Sequence, residues 1–309
     1  MFVTVVVVTF NRLPLLKECI EAIRSQTTPV YDIVVINNSS TDGTTEWLQQ
    51  QEGLQEYTMP NRGGSWGFYE GIKKAYATSC DWIWIMDDDS IPSANALEKL
   101  LSAVKITKAA NDDFGFFGSK VVWSDGSLHK LNMQLEQKNF SGNKDEAYYR
   151  SNNIIPVAYN SFVSFLVSKE VVKKVGLPVK EFFIWNDDVE YSMRVLKNGY
   201  KGAMVTDSLV VHKTPHNYSS DIFTDDIKNI WKHVYGIRNE FYIRRHQKSY
   251  ASFLRNIFKK LFIFPFKIIR KRKDHRFVFI KAVWKATGQA LSFNPPIEYI
   301  TENHPGKAN

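Results

Sequence analysis

The feature that most constrains the fold is the join between an apolar run, Trp82-Ile83-Trp84-Ile85-Met86, and three consecutive carboxylates, Asp87-Asp88-Asp89. The run is too short for a typical helix and rich in β-branched and aromatic side chains, so it reads as a buried strand. Three acidic side chains where a core strand surfaces repel one another. A divalent cation offsets that repulsion, and hard ions such as Mg²⁺ or Mn²⁺ take oxygen ligands and share them with substrate phosphates. The strand end therefore predicts a metal–diphosphate site. The competing reading is an acidic turn that caps a helix beginning near Asn95.

The flanking segments favour the first reading. Val3–Thr9 is a continuous β-branched strand, and a helix after Asn11-Arg12-Leu13-Pro14 carries Leu15, Leu16, Cys19, Ile20 and Ile23 on one face. Asp32–Ile36 is a second strand, followed by a helix over Thr45–Gln51. Tyr57–Pro60 reads as a short strand, with a helix behind it that ends at Ala77. After Trp82–Met86 comes a helix over Ala94–Ala109. This alternation predicts an α/β fold, Rossmann-like, with a mostly parallel sheet and helices on both faces. Ligands in such sheets bind at the carboxyl ends of the strands. Thr9–Arg12, Asn37–Asp42, Asn61–Gly67 and Asp87–Asp89 all fall at that edge.

Further on, Phe116–Val122 and Tyr159–Val167 read as strands, with Ser124–Arg150 a variable loop or hairpin between them. Phe182–Asp188 leads into a helix over Val189–Asn198 that Gly199 ends. Lys201–Val211 is the last strand, closing at His212. At 309 residues the chain has room for one large α/β domain, 1–225, and a C-terminal segment, 226–309. Two cysteines without CxxC spacing argue against a disulfide scaffold or a zinc site, and fit a reducing cytosol. Phe2–Phe10 has no basic flank and no small-residue cleavage site, so it reads as a strand and not as a secretory signal.

Charge is unevenly spread. Residues 228–285 hold 17 Lys+Arg against 2 Asp+Glu, while the whole chain carries +8, which leaves the body mildly acidic. Leu254, Ile257, Phe258, Leu261 and Phe262 share a helical face among Arg255, Lys259 and Lys260. Pro265 should break that helix, and Phe277, Ile280 and Trp284 form a further stripe. Apolar faces interleaved with Lys/Arg favour an anionic membrane surface over nucleic acid. A span of about 20 apolar residues, as a bilayer crossing needs, is absent.

Five segments in this order resemble the GT-A nucleotide-sugar glycosyltransferases, in particular the inverting family 2. They are Thr9-Phe10-Asn11-Arg12, Asn37–Thr44, Asn61-Arg62-Gly63-Gly64, Met86–Asp89 and Trp185–Tyr191. The Asn37-Asn38 turn, the Gly63–Phe68 loop and Tyr235-Gly236-Ile237-Arg238-Asn239 look most like the galactofuranosyl- and rhamnosyltransferase branch. The resemblance implies that Asp87 and Asp89 hold a cation, Mn²⁺ or Mg²⁺, with His212 completing the shell and His216 a rival. It implies Asp188 as catalytic base, with Trp185, Asp187 and Glu190 toward the acceptor. Asp187 and Asp188 also suit a plain helix start. Thr9, Arg12, Asn38, Arg62, Gly63, Asp87, Asp88 and Arg238 would then contact the donor.

The resulting expectation is an inverting transfer of galactofuranose, or next rhamnose, from a UDP- or dTDP-linked donor to a glycan or lipid-linked glycan. The setting would be bacterial surface polysaccharide synthesis, at the cytoplasmic face of the plasma membrane, with no nucleic-acid partner. A sugar-nucleotide or nucleotidyl transferase would want a Gly-rich basic loop after the first strand, which Thr9–Arg12 lacks. A non-catalytic glycan- or membrane-binding scaffold would not need intact carboxylates at both 87–89 and 187–188.

Overall fold

The computed structural model describes residues 1–132, 134–138 and 140–300. Strand β1 (Val3–Thr9) is buried along its whole length, as a continuous Val run requires between two layers of helices. Helix α1 (Leu13–Arg24) has Pro14 in its first turn and buries Leu16, Cys19, Ile20 and Ile23, the spacing of one helical face. β2 (Asp32–Asn37), α2 (Thr44–Leu48), β3 (Gln55–Thr58), α3 (Gly64–Tyr76) and β4 (Trp82–Asp87) follow. β1 pairs in parallel with β2 and β4, and β2 with β3. The third strand thus lies slightly before the expected Tyr57–Pro60.

The second half departs from a parallel sheet. It contains β5 (Ser90–Pro92), α4 (Ala96–Ala109), β6 (Phe114–Val122), β7 (Leu135–Glu136), α5 (Glu146–Ser151), β8 (Ile154–Tyr159), β9 (Phe165–Ser168), α6 (Lys169–Val175), α7 (Asp187–Lys197) and β10 (Lys201–His212). The ten strands form one sheet in the order β3-β2-β1-β4-β9-β6-β10-β8-β7, with β5 on β10. β9 runs antiparallel between β4 and β6, and β8 antiparallel to β10, so the sheet is mixed.

The strand expected over Tyr159–Val167 is two strands, broken at 160–164. The Asn160 side chain donates to the carbonyls of Ser161 (3.1 Å) and Ser164 (2.8 Å), a local alternative to the ladder. Gly118 makes room for it, since a Cβ there would lie 1.9 Å from Asn160 Nδ2. The break delivers Ser161, Phe162 and Val163 to the wall of the main cleft.

One register governs the surroundings of the carboxylates. Immediately after Asp89, β5 pairs antiparallel with the end of β10, and His212 falls opposite Ser90. The Lys213 amide also donates to the Asp89 carbonyl at 2.8 Å. A histidine far along the chain is thereby fixed beside Asp89.

Helices α8 (Ile230–Ile243), α9 (Tyr250–Phe258), α10 (Phe264–Lys271) and α11 (Arg276–Ser292) build a smaller apolar cluster around Phe241, Phe253, Ile268, Phe279 and Val283. Pro265 does not end the helix. It sits in the first turn of α10, where its missing N–H is not needed, after a π-turn over Lys259–Ile263. Ile280 packs inward, whereas Phe258, Phe262, Phe266, Phe277 and Trp284 stay exposed. Beyond α11 the chain returns to the sheet domain: Glu298 meets Lys180 and the Tyr69 hydroxyl, and its carbonyl accepts from the Leu177 amide at 2.8 Å. No helix among the described residues is long and apolar enough to cross a membrane.

Candidate active site

The carboxyl ends of β1 and β4, the break after β8, the end of β10 and the face of α8 surround a cleft of about 640 Å³. Arg12, Asp87, Asp89, Trp185, Asp187, Asp188 and His212 all line it. Residues singled out from sequence on well-separated elements are thus brought to one place.

At the donor end, Asp87 and the more deeply buried Asp89 line the cleft, while Asp88 is buried and does not line it. Asp88 is held by the Thr9 hydroxyl (2.7 Å), the Phe10 amide (3.3 Å) and the Arg12 guanidinium (3.3 Å). Arg12 also donates to Asp89. Thr9 and Arg12 therefore act on the carboxylates themselves. Burial, with Asp89 and Asp88 adding their charge, pushes Asp87 up to about 7. Burial likewise raises Asp88 to about 6, against the pull of Arg12. Burial opposes ionisation of Asp89 as well, but the hydrogen bond and charge of His212, and then Arg12, hold it below the usual carboxylate range.

A divalent cation fits this set. Ligand atoms of Asp87, Asp89 and His212 lie within 4.8 Å of one another. His212 Nε2 is 3.0 Å from Asp89 Oδ1, and Nδ1 is 2.7 Å from Asn132 Oδ1. If the Asn132 oxygen accepts from Nδ1–H, the Nε2 lone pair points at a carboxylate oxygen. That contact is favourable only with a proton or a cation between the two. The His129 ring lies tilted beside His212, with centroids 4.5 Å apart, and is anchored to Thr214 Oγ1 at 2.8 Å. His216, the rival ligand, is exposed and engages Thr214 only through its backbone carbonyl.

On the opposite wall, Phe183, Trp185 and Asn186 all have left-handed backbones, with φ of 69°, 64° and 69°. This conformation is costly for side chains other than Gly and needs outside support. α8 supplies it. The Asn239 amide donates to the carbonyls of Phe182 (3.0 Å), Ile184 (3.1 Å) and Trp185 (2.9 Å), and Arg238 to those of Glu181 (2.7 Å) and Phe182 (3.1 Å). Asn186 returns a bond to the Gly236 carbonyl at 2.9 Å. From the other side, a Cβ on Gly63 would lie 2.2 Å from the Phe183 carbonyl oxygen, and the Ser65 amide donates to that oxygen at 3.2 Å.

The clamped loop sets Asp187 and Asp188 at the start of α7, open to the cleft. α7 thus begins two residues earlier than the expected Val189. Burial, then Asp187, lift Asp188 to about 8, with Asp87 adding to the effect. Burial raises Asp187 to about 6. Tyr159 is close enough for the charge of Asp188 to raise its hydroxyl, after burial.

Several residues expected at the substrate do other work. Glu190 is fully buried and its carboxylate is taken by Arg194 (3.0 and 2.8 Å) and Gln247 (2.8 Å), so it does not reach the cleft. Arg238 is committed to the loop carbonyls and lies 3.7 Å over the Phe293 ring. Gly63 serves as a joint for Phe183, and Arg62 stacks over Trp66 at 4.7 Å. Asn38 is buried outside the cleft lining, its Oδ1 without a hydrogen-bond partner among the described residues. Conversely, Asn132, Tyr218 and Lys232 line the cleft without having been singled out. Asn132 lies in a stretch read as a variable loop, where no periodicity marks it.

Asn132→Leu removes the acceptor that orients His212. It should weaken Mn²⁺ binding about 10- to 100-fold by calorimetry, with an unchanged circular dichroism spectrum. Undiminished Mn²⁺ affinity would remove Asn132 from the site.

Comparison with known proteins finds relatives of this chain in sequence and in fold. The galactofuranosyltransferase GlfT1 of Mycolicibacterium smegmatis is 27% identical over 205 residues, 64% of this chain and 66% of that protein. The chain thus spans about two thirds of that relative's length. In overall fold it is similar to the crystal structure of GalNAc-T7 with UDP, GalNAc and Mn²⁺ (TM-score 0.59, 14% identity, 91% of this chain and 56% of that one). It is also similar to the mannosyltransferase PcManGT from Pyrobaculum calidifontis in complex with GDP-Man and Mn²⁺ (TM-score 0.52, 16% identity, 95% and 76%). Both are GT-A glycosyltransferases, and this is the GT-A fold. The model of Glycosyl transferase family 2 matches residues 4–176, more than half the chain, and the protein belongs to that family.

Proposed function

We propose that the protein is a metal-dependent, inverting galactofuranosyltransferase, with rhamnose the next donor sugar. It takes a UDP- or dTDP-linked sugar and transfers it to a glycan or lipid-linked glycan of a bacterial surface polysaccharide. The observation that carries this reading is the single cleft in which Asp87, Asp89 and His212 face Asp188. The likeness to GlfT1 supports galactofuranose.

Asp87, Asp89 and His212 would hold a divalent cation, whose positive charge would offset that of the departing nucleoside diphosphate. Arg12 keeps the buried carboxylates together while the cleft is filled. Asp188 takes the proton of the acceptor hydroxyl as that oxygen attacks the anomeric carbon. One base on the acceptor side and one leaving group on the metal side give a single displacement, which inverts the configuration. The low-dielectric wall that raises Asp188 to about 8 makes it a stronger proton acceptor than an exposed carboxylate. Trp185, supported by the ring of His233 and the edge of Gly236, offers a flat apolar surface for a sugar ring.

Because Asp188 works as the ionised form, kcat/KM should rise with pH and level off above about 8. Asp188→Asn should lower turnover about 10²–10⁴-fold while UDP–Mn²⁺ binding stays unchanged. A variant that turns over like the wild type would remove Asp188 from the base role. The anomeric configuration of the product, read by NMR, tests inversion directly.

The exposed face running from α9 to α10 supports the proposed acceptor setting. Leu254, Phe258, Phe262, Phe266 and Ile269 are 43–70% exposed at intervals of three or four residues, with Arg255, Lys259, Lys267 and Arg270 interleaved. This face suits the surface of an anionic bilayer on the cytoplasmic side, where a lipid-linked acceptor lies. Replacing Phe258, Phe262 and Phe266 together by Ser should cut binding to phosphatidylglycerol vesicles at least ten-fold, each buried ring being worth about 1.5–3 kcal/mol. Sedimentation of the triple variant with vesicles at the wild-type level would contradict the membrane reading.

A further inference from the structure

The charges at the donor end do not balance once a nucleotide sugar is bound. Asp87, Asp88 and Asp89 face one protein cation, Arg12. A divalent metal would bring that group to neutrality. A sugar diphosphate diester then adds two negative charges. When the bond from the anomeric carbon to the phosphate oxygen breaks, its electron pair stays on that oxygen and the leaving group carries three. Stabilising charge that develops during the reaction is the task most rewarded by a fixed cation in a dry cleft.

Among the described residues, Arg12, Lys232 and Lys260 are the Lys and Arg side chains that line the cleft. Arg12 is already bonded to Asp88 and Asp89. Lys260 is buried and paired with Glu240 at 3.1 Å, among the C-terminal helices. Lys232 lies in the first turn of α8, half-buried, with no carboxylate within ion-pair distance among the described residues. The ring it approaches is that of its own neighbour, Trp231, at 5.6 Å. It feels Arg12 across the cleft: burial lowers its pKa most, Asp225 opposes, and the charges of Arg12 and Lys228 lower it further. A half-buried ammonium that lacks a carboxylate and shares a cleft with another cation is completed by an anion.

We infer that Lys232 binds the sugar-bearing phosphate of the donor and neutralises the charge that gathers there as the glycosidic bond breaks. The residue stays protonated throughout. It donates a hydrogen bond, while the acceptor proton goes to Asp188. The same contact holds the nucleoside diphosphate product more tightly than a monophosphate. This inference rests on the proposed donor site and adds to it a residue on the acceptor-side helix, so α8 would touch both the loop that carries Asp188 and the leaving group.

The test is calorimetric titration of UDP, dTDP and GDP, and of UMP, dTMP and GMP, in Mn²⁺, into wild type, Lys232→Gln and Lys232→Arg. Asp89→Ala is the control for the metal site. The Gln variant should bind the preferred diphosphate about 10- to 100-fold more weakly, the monophosphate nearly unchanged, and Arg should restore most of the loss. At saturating donor, kcat of the Gln variant should fall in step. Diphosphate affinity equal to wild type, or an equal loss for mono- and diphosphate, would overturn the role of Lys232. Wild type that binds no diphosphate in Mn²⁺ would overturn the donor site itself, and Lys232 with it.

Discussion

The antiparallel pairing of β5 with the end of β10 is the contact on which the site depends. Three adjacent carboxylates at the end of a core strand are unstable neighbours. The pairing places His212 at 3.0 Å from Asp89, and the β1–α1 turn brings Thr9 and Arg12 onto Asp88 and Asp89. Arg12 alone leaves the cluster with excess negative charge, which is why burial and mutual repulsion drive Asp87 up to about 7. The protein thus holds an arrangement that binding of a cation would relax.

The opposite wall follows a second constraint, backbone strain held by neighbours. Three non-glycine residues with φ of 64–69° are each disfavoured, by about 1–3 kcal/mol. Asn239 satisfies three carbonyls of this loop with one amide, and Gly63 lets the loop approach α3. The result places Asp188 in the same cleft as Asp87, close enough to feel its charge. α8 belongs to the C-terminal cluster, so the loop before Asp188 is held by the same group of helices that exposes the apolar, basic face.

Much of this was legible in the chain. Continuous Val and Trp/Ile runs have one favourable placement, so the strands β1, β2 and β4 could be read directly, though not their order in the sheet. The carboxylates at 87–89 and 187–188 stood out because acidic residues at element ends lack a packing reason. The break at Asn160 was hidden, because apolar content runs on through Phe162 and Phe165 while the turn is made by side-chain hydrogen bonds. The insertion of β9 between β4 and β6 is a long-range pairing with no local signature. Glu190 and Arg238 were drawn toward the substrate because they sit in segments that carry the family resemblance. Arg194, one helical turn after Glu190, was the available clue that the carboxylate already had a partner. Asn132 had no sequence signal at all.

The most direct test of the account is a donor panel with Mn²⁺ and with the metal chelated. UDP-galactofuranose, dTDP-rhamnose, UDP-galactose, UDP-glucose and UDP-N-acetylglucosamine would be compared for binding and for hydrolysis. The account predicts metal-dependent turnover with UDP-galactofuranose preferred. Equal turnover after chelation, or no binding of any donor with or without Mn²⁺, would contradict it.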